Sequence, residues 1–497
     1  MRRATVARTR LPLQETPMSV TGPTIDSLRD ALTAVEQQHL LTFYDELSTD
    51  QPQSLLAEIS SIDPGSLPPI IEAYVKQRPV FELPADIQPA PYYPNDPTAA
   101  FNPWDREAAR HAGEDLLHAG KVGCFTVAGG QGSRLGFDGP KGCYPATPIT
   151  GKPLFQVFAE NILKAQDKFG STIPWYIMTS PANNGPTEAF FAEHKHFGLD
   201  PADIKFFPQG TMPAFDRETG KVLLAERHAL ALTPDGHGGS LKALYVSGVL
   251  DDMAKRGVEH LSYFQVDNAT VKVIDPIFLG LHASAKDSSA EMSSKMLPKG
   301  YPEEKLGLFC NVAGRLTVVE YSDMPMDLQR QTLDDGRLRF LSGSPAIHII
   351  GAEFVRKVNT DADFALPFHR ADKKVAHLDP STGEHVKPDE PNAVKLEKFV
   401  FDALPLAKAS IVYETDRVEE FAPIKNAEGI DSAQTSRELQ TERAARWLEA
   451  KGIKIARTGE GKADCVIELS PLTAIDPSDL DSVELPSRIK SGEQITL

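Results

Sequence analysis

The run Val127-Ala128-Gly129-Gly130-Gln131-Gly132-Ser133-Arg134-Leu135-Gly136, with Pro140-Lys141 shortly after it, decides how this chain is read. It starts where a short apolar stretch, Val122–Val127, ends, and that stretch predicts a buried strand. Glycines let a backbone approach an anion closely and turn its N–H groups toward it. Ser133 adds a hydroxyl donor, and Arg134 and Lys141 add the positive charge that a polyphosphate requires. Spacing excludes two other phosphate loops. A dinucleotide fingerprint beginning at Gly130 needs glycine where Leu135 stands, and no GxxxxGK followed by Ser or Thr occurs. A glycine turn that only joined strand to helix would not need the Ser-Arg and Pro-Lys pairs behind it.

Outward from this run the pattern alternates. Asp105–Ala119 predicts a helix before the strand, and Leu154–Phe169 an amphipathic helix after the loop. Trp175–Met178 reads as a strand, Thr187–Phe197 as a helix, and Ile204–Phe207 as a strand ending at Pro208-Gln209-Gly210. Ser240–Arg256 reads as one helix, and His260–Val266 as a strand ending at Asp267-Asn268, with Asn268 taken as a turn residue. Alternating strands and helices predict an α/β fold with a doubly wound, mostly parallel sheet. The glycines and polar residues fall at strand C-termini, where open α/β sheets bind ligands.

The 497 residues suffice for two to four domains. Residues 1–25 carry arginines without an apolar core, which excludes a secretory signal and predicts a disordered tail; Met18 offers a second start. Residues 26–104 read as a helical part closed by a proline-rich connector, 105–420 as the α/β domain, and 421–497 as a small β-containing domain. A net charge of −17 argues against a nucleic-acid partner or a polybasic membrane binder. No apolar run approaches a membrane span. Cys124, Cys143, Cys310 and Cys465 show no metal or redox spacing, which predicts a disulfide-free, cytoplasmic chain.

Further blocks follow the loop in order: Phe207-Pro208-Gln209-Gly210-Thr211-Met212-Pro213-Ala214, Thr233-Pro234-Asp235-Gly236-His237-Gly238-Gly239 and Gln265-Val266-Asp267-Asn268. Then come Val318-Val319-Glu320-Tyr321-Ser322, Lys395-Leu396-Glu397-Lys398-Phe399-Val400-Phe401-Asp402 and Phe421–Asn426. Together with Ala128–Lys141 these resemble the UDP-N-acetylhexosamine pyrophosphorylases of the uridylyltransferase family, over nearly the whole chain from about residue 26. The resemblance implies a Rossmann-like, doubly wound mixed-sheet nucleotidyltransferase domain between a helical N-terminal part and a small C-terminal domain. It implies an enzyme that joins UTP and a sugar 1-phosphate into a UDP-sugar and pyrophosphate, with Mg²⁺.

Residue types say how. The sugar phosphate is already anionic near neutrality, its second pKa being about 6, so no catalytic base is sought. Alignment and charge neutralisation are what the protein must supply. Arg134 and Lys141 are the candidates for the departing pyrophosphate, and Lys395, by resemblance, for the phosphates at the reacting centre. Ala128, Gly129, Gly130, Gly132, Ser133, Gln209 and Gly236 are candidates for holding the nucleotide, with Gln209 at the uracil edge. Asp267, at a strand end, is the candidate for Mg²⁺, which prefers one or two carboxylates plus phosphate oxygens. By the resemblance, His237, Asp267, Gly307, Glu320 and Ser344 are candidates on the sugar side.

Two departures bear on the sugar. His237 stands where the N-acetylhexosamine branch has Asn, and Leu341, Ser344 and Ile347 replace asparagines of its NAGNIANH segment. N-acetylglucosamine 1-phosphate is the expected substrate from the overall resemblance, with UDP-glucose or UDP-galactose formation as the alternative. A silent nucleotide-binding relative is the reading from a different class, and retention of Arg134, Lys141, Asp267 and Lys395 together favours an enzyme.

Overall fold

The computed structural model describes residues 24–78, 83–84, 86–361 and 366–497; most of the tail read over 1–25 lies outside them. The chain divides into two compact units. One contains the described residues through Gln77 together with Pro213–Leu232 and Asp372–Val394. Its helices Ile25–Ala34 and Gln51–Ser61 bury Leu28, Leu32, Leu55 and Ile59. The Gln37 side chain accepts from Val222 N–H at 2.9 Å, and Glu58 accepts from Leu230 N–H at 2.7 Å. The expected continuous helical pattern breaks after Ala34 into short 3₁₀ turns, Gln38–Leu41 and Tyr44–Glu46.

The second unit, Arg78–Met212, Thr233–Ala371 and Lys395–Leu497, is built on a large mixed sheet. Its longer strands are β1 (Val122–Val127), β2 (Trp175–Thr179), β3 (Ile204–Pro208), β4 (His260–Gln265), β5 (Met292–Pro298), β6 (Leu308–Val312), β7 (Arg315–Val319), β8 (His348–Gly351) and β9 (Val412–Glu414). β4, β1, β2 and β3 run parallel in that spatial order. β8 then pairs antiparallel with β4 and β5, and β9 pairs parallel with β5. β6 and β7 form an antiparallel hairpin joined through Ser342–Gly343 to the β5 side. The four parallel strands are the ones the alternating pattern identified.

Burial explains the sheet. β1 carries five successive buried residues, and β2 is buried throughout, as expected for strands covered on both faces. One face packs Phe155, Phe158, Ile162 and Phe278; the other packs Leu241, Leu244, Met253 and Phe354.

Two helices depart from the sequence reading. The stretch Ser240–Arg256 is two helices, Ser240–Val246 and Val249–Arg256, because Gly248 takes φ 77° and turns the chain. The helix expected at Thr187–Phe197 instead spans Pro181–Glu193. Pro181 sits at its first position, where a missing N–H costs nothing, and Pro186 lies only one turn in.

The proline-rich connector runs along this unit: Gln88–Pro89 pairs with β6, and Tyr93 N–H donates to Val412 O at 2.8 Å. At the C-terminus, helix Ala433–Ala450 and the paired strands Val466–Glu468 and Gln494–Thr496 enclose Trp447, Leu448 and Ile467. Glu468 accepts from the N–H groups of Ile149 and Thr150 at 2.7 and 2.8 Å.

Candidate active site

The C-terminal ends of β1, β3 and β4 open onto a cavity of about 290 Å³. Gly129, Gly130, Lys141, Gln209, Gly236, His237, Asp267 and Lys395 all line it. These eight candidates come from five separated sequence blocks. A larger cavity of about 650 Å³, beside Glu291 and Lys357, holds none of them.

The glycine loop is held from beneath. Ala128 N–H donates to Met178 O on the neighbouring strand at 2.7 Å. Gly132 N–H reaches Gly139 O at 2.9 Å, and Lys141 N–H reaches Gly130 O at 3.1 Å, so the loop folds back on itself. Asn183, fully buried, donates to the carbonyls of both Gly129 and Gly130 at 2.9 and 3.0 Å. With those carbonyls tied down, the N–H groups of Gly129, Gly130 and Gln131 meet no protein acceptor among the described residues. That is the donor arrangement an anion needs.

Lys141 and Asp267 face each other with Nζ to Oδ2 at 3.7 Å, both side chains more than four-fifths buried. Asp267 is fixed through its backbone: its carbonyl accepts from Ile424 N–H at 2.8 Å. Asn268, read from sequence as a turn residue, is instead a buried clamp. Its amide donates to Glu420 O at 2.6 Å and accepts from Ala422 N–H at 3.0 Å. Behind the clamp, buried Lys295 binds Glu420 at 2.6 Å and Asp275 at 2.5 Å. Burial opposes the lysine's charge, but the two carboxylates outweigh it and hold Lys295 above the usual lysine range.

The opposite wall is aromatic and imidazole. His237 stacks on Phe399 at 5.1 Å between ring centroids, and Phe399 stacks on His369 at 4.1 Å. His369 contacts Asp402 at 2.8 Å. Burial, with a smaller contribution from His369, pushes His237 down to about 4. It is therefore neutral at pH 7. Its Nδ1 accepts from Val400 N–H at 3.2 Å, which leaves the proton on Nε2. Gly236, at φ 83°, is packed so closely that a Cβ would fall 2.5 Å from Lys398 O.

The other candidates lie outside the cavity lining. Ala128 is fully buried in the core, and Gly132 packs against Phe137. Ser133 and Arg134 sit exposed on the short 3₁₀ turn Ser133–Leu135. Gly307, Glu320 and Ser344 form a separate cluster: Ser344 N–H donates to Gly307 O at 2.9 Å, and a Cβ at Gly307 would lie 3.1 Å from Glu320 Oε1. Burial raises the Glu320 carboxyl, while His369 pulls it back, which ties this cluster to the aromatic wall. Ile347 is 3% exposed and belongs to the core, and half-buried Leu341 packs against the apolar cluster of Phe309 and Val318.

Three residues that hold the candidates in place escaped the sequence reading: Asn183, Asn268, and Asp235, which accepts from the Gln209 amide at 3.3 Å. All three are short polar residues near turns, where an Asn or Asp is ordinarily explained by local capping.

The chain is similar to known proteins over most of its length. A human protein, UDP-N-acetylhexosamine pyrophosphorylase-like protein 1, is 35% identical over 91% of this chain and 94% of its own length. UDP-N-acetylglucosamine diphosphorylase 2 of Arabidopsis thaliana is 34% identical over 94% and 93%. The fold matches the Trypanosoma brucei uridine diphosphate N-acetylglucosamine pyrophosphorylase structure with a TM-score of 0.76 at 23% identity, covering 95% of this chain and 98% of that one. Residues 100–448 match the family described as UTP–glucose-1-phosphate uridylyltransferase, and the chain belongs to that family.

Proposed function

We propose that this chain is a uridylyltransferase that joins UTP and a sugar 1-phosphate, releasing pyrophosphate, with N-acetylglucosamine 1-phosphate as its preferred substrate. The observation that carries this reading is the convergence of Lys141, Asp267, Lys395, Gln209 and the glycine backbone in one cavity. The names of the human and Arabidopsis relatives support the N-acetyl sugar.

The phosphate oxygen of the sugar attacks the α-phosphorus of UTP, the bond to the β-phosphate bridging oxygen breaks, and pyrophosphate leaves. The attacking oxygen is anionic near neutrality, so no side chain removes a proton. The N–H groups of Gly129, Gly130 and Gln131 hold phosphate oxygens. Lys141 meets the charge that grows on the leaving group, and Lys395 the reacting phosphates. Arg134, exposed on the neighbouring turn Ser133–Leu135, is the second candidate for the pyrophosphate.

The residues fit Mg²⁺. The cavity lining carries two carboxylates, Asp267 and Glu397, beside the glycine loop, as suits an ion held by one or two carboxylates and substrate phosphates. Asp267 would supply the protein's carboxylate. When bound, the ion neutralises phosphate charge. The proposal includes a cytoplasmic location, supported by four free cysteines. No described helix is long and apolar enough to cross a membrane.

The sugar side favours a second reading, glucose or galactose 1-phosphate. Of the three residues replacing the branch's asparagines, Ile347 and Leu341 are committed to apolar packing, which leaves Ser344. An N-acetyl amide without a partner costs roughly 1–3 kcal/mol to desolvate. Discrimination between N-acetylglucosamine 1-phosphate and glucose 1-phosphate is therefore expected to be modest. The Ser344→Asn, His237→Asn double variant should shift the kcat/KM ratio toward the N-acetyl substrate. Rejection of glucose 1-phosphate by the wild type beyond about a thousandfold, or about 4 kcal/mol, would show that these replacements are neutral.

A further inference from the structure

Gln209 is 7% exposed, and its amide has only one way to face. Its Nε2 donates to Asp235 Oδ1 at 3.3 Å and approaches Gly236 O at 3.5 Å. A carboxylate and a carbonyl both accept and cannot donate, so the NH₂ end must point at them. The carboxylate itself is boxed in. A Cβ at Gly210 or Gly239 would fall 2.7 or 2.1 Å from its oxygens. The backbone of Asp235 is pinned too, with its N–H on Gly210 O at 3.1 Å and its carbonyl accepting from Lys398 N–H at 2.8 Å. Burial raises the Asp235 carboxyl, and Lys398 leads the groups that pull it back. The Oε1 end of Gln209 is left beside Gly129, where a Cβ would come within 2.4 Å of it.

We infer that Asp235 is a specificity-determining positioning residue: by fixing the Gln209 amide, it presents an acceptor-only oxygen to the nucleotide base. This rests on the uridylyltransferase reading. Uracil offers a donor at N3, and cytosine offers a lone pair there. A pinned Oε1 pairs with the first and repels the second. A free amide would rotate and donate to cytosine N3, and the pocket would read both bases. Selection for uracil thus comes from a carboxylate that acts on the base only through the amide.

The test is kcat/KM for UTP and CTP in the wild type, Asp235→Asn, Gln209→Ala and the double variant. Wild type is expected to favour UTP by at least about a hundredfold, since buried groups left unpaired oppose the wrong base. Asn at 235 can turn a donor or an acceptor toward the amide and so releases it. The UTP:CTP ratio should fall about tenfold or more, with CTP turnover held or raised. General damage to the site would lower both nucleotides together. In the Gln209→Ala background, Asp235→Asn should leave the ratio unchanged. A ratio in Asp235→Asn within about twofold of wild type, or a further fall in the double variant, overturns the inference. If thermal melting shows Asp235→Asn unfolded at the assay temperature, Gln209→Ala decides: it must lose the UTP preference, and retention overturns the inference. A wild type that turns over neither nucleotide overturns the uridylyltransferase reading itself, and the inference with it.

Discussion

Lys141→Ala is expected to lower kcat about 10²–10³-fold while the KM for UTP changes far less. The reason is geometric. Lys141 lines the cavity, mostly buried, and its backbone N–H is tied to Gly130 O, so the ammonium is positioned before substrate arrives. A preorganised charge acts most strongly where negative charge grows, here on the departing pyrophosphate. Uniform loss of binding would raise KM and spare kcat, and that pattern would remove Lys141 from this role. Arg134→Ala separates two arrangements of the loop. Arg134 is exposed on its turn, outside the cavity lining, so a large fall in its kcat requires the turn to close over the phosphates. A near-normal kcat would restrict the pyrophosphate role to Lys141.

Asp267→Asn is expected to raise the Mg²⁺ concentration needed for half-maximal activity by at least about tenfold, since changes even one shell further from a metal cost 10–100-fold in affinity. The substitution keeps shape and hydrogen-bonding capacity but removes the charge. The strand end should hold its place, because it is Asp267 O, not its carboxylate, that accepts from Ile424 N–H. Asn268 and the buried Lys295–Glu420–Asp275 group anchor the same segment independently. Thermal melting should therefore change little. A Mg²⁺ titration superimposable on wild type would exclude Asp267 as a ligand.

The parallel half of the sheet was legible because its strands are short apolar runs that end in glycine or polar residues. The antiparallel half was not. β5 carries Ser293, Ser294 and Lys295, all fully buried, in its middle. A lysine inside a strand argues against burial unless its partners are known. Those partners, Asp275 and Glu420, lie 20 and 125 residues away in sequence. The site divides the same way. The glycine loop, Lys141 and Asp267 could be named from their own chemistry at strand ends, whereas Gln209 and Lys395 could be named only through the family resemblance of their blocks. The residues that hold them could not, because their roles depend on contacts across the fold. Asn183 reaches the Gly129 and Gly130 carbonyls from a helix more than fifty residues later, and Asp235 orients Gln209 from 26 residues later.

The central claim, transfer of a uridylyl group to a sugar 1-phosphate, is tested most directly by measuring pyrophosphate and UDP-sugar together. Purified chain would be incubated with UTP, Mg²⁺ and a panel of sugar 1-phosphates. The account predicts equal amounts of pyrophosphate and UDP-sugar, both dependent on a sugar 1-phosphate. No product of either kind with any member of the panel, or pyrophosphate released from UTP without a sugar phosphate, would contradict it.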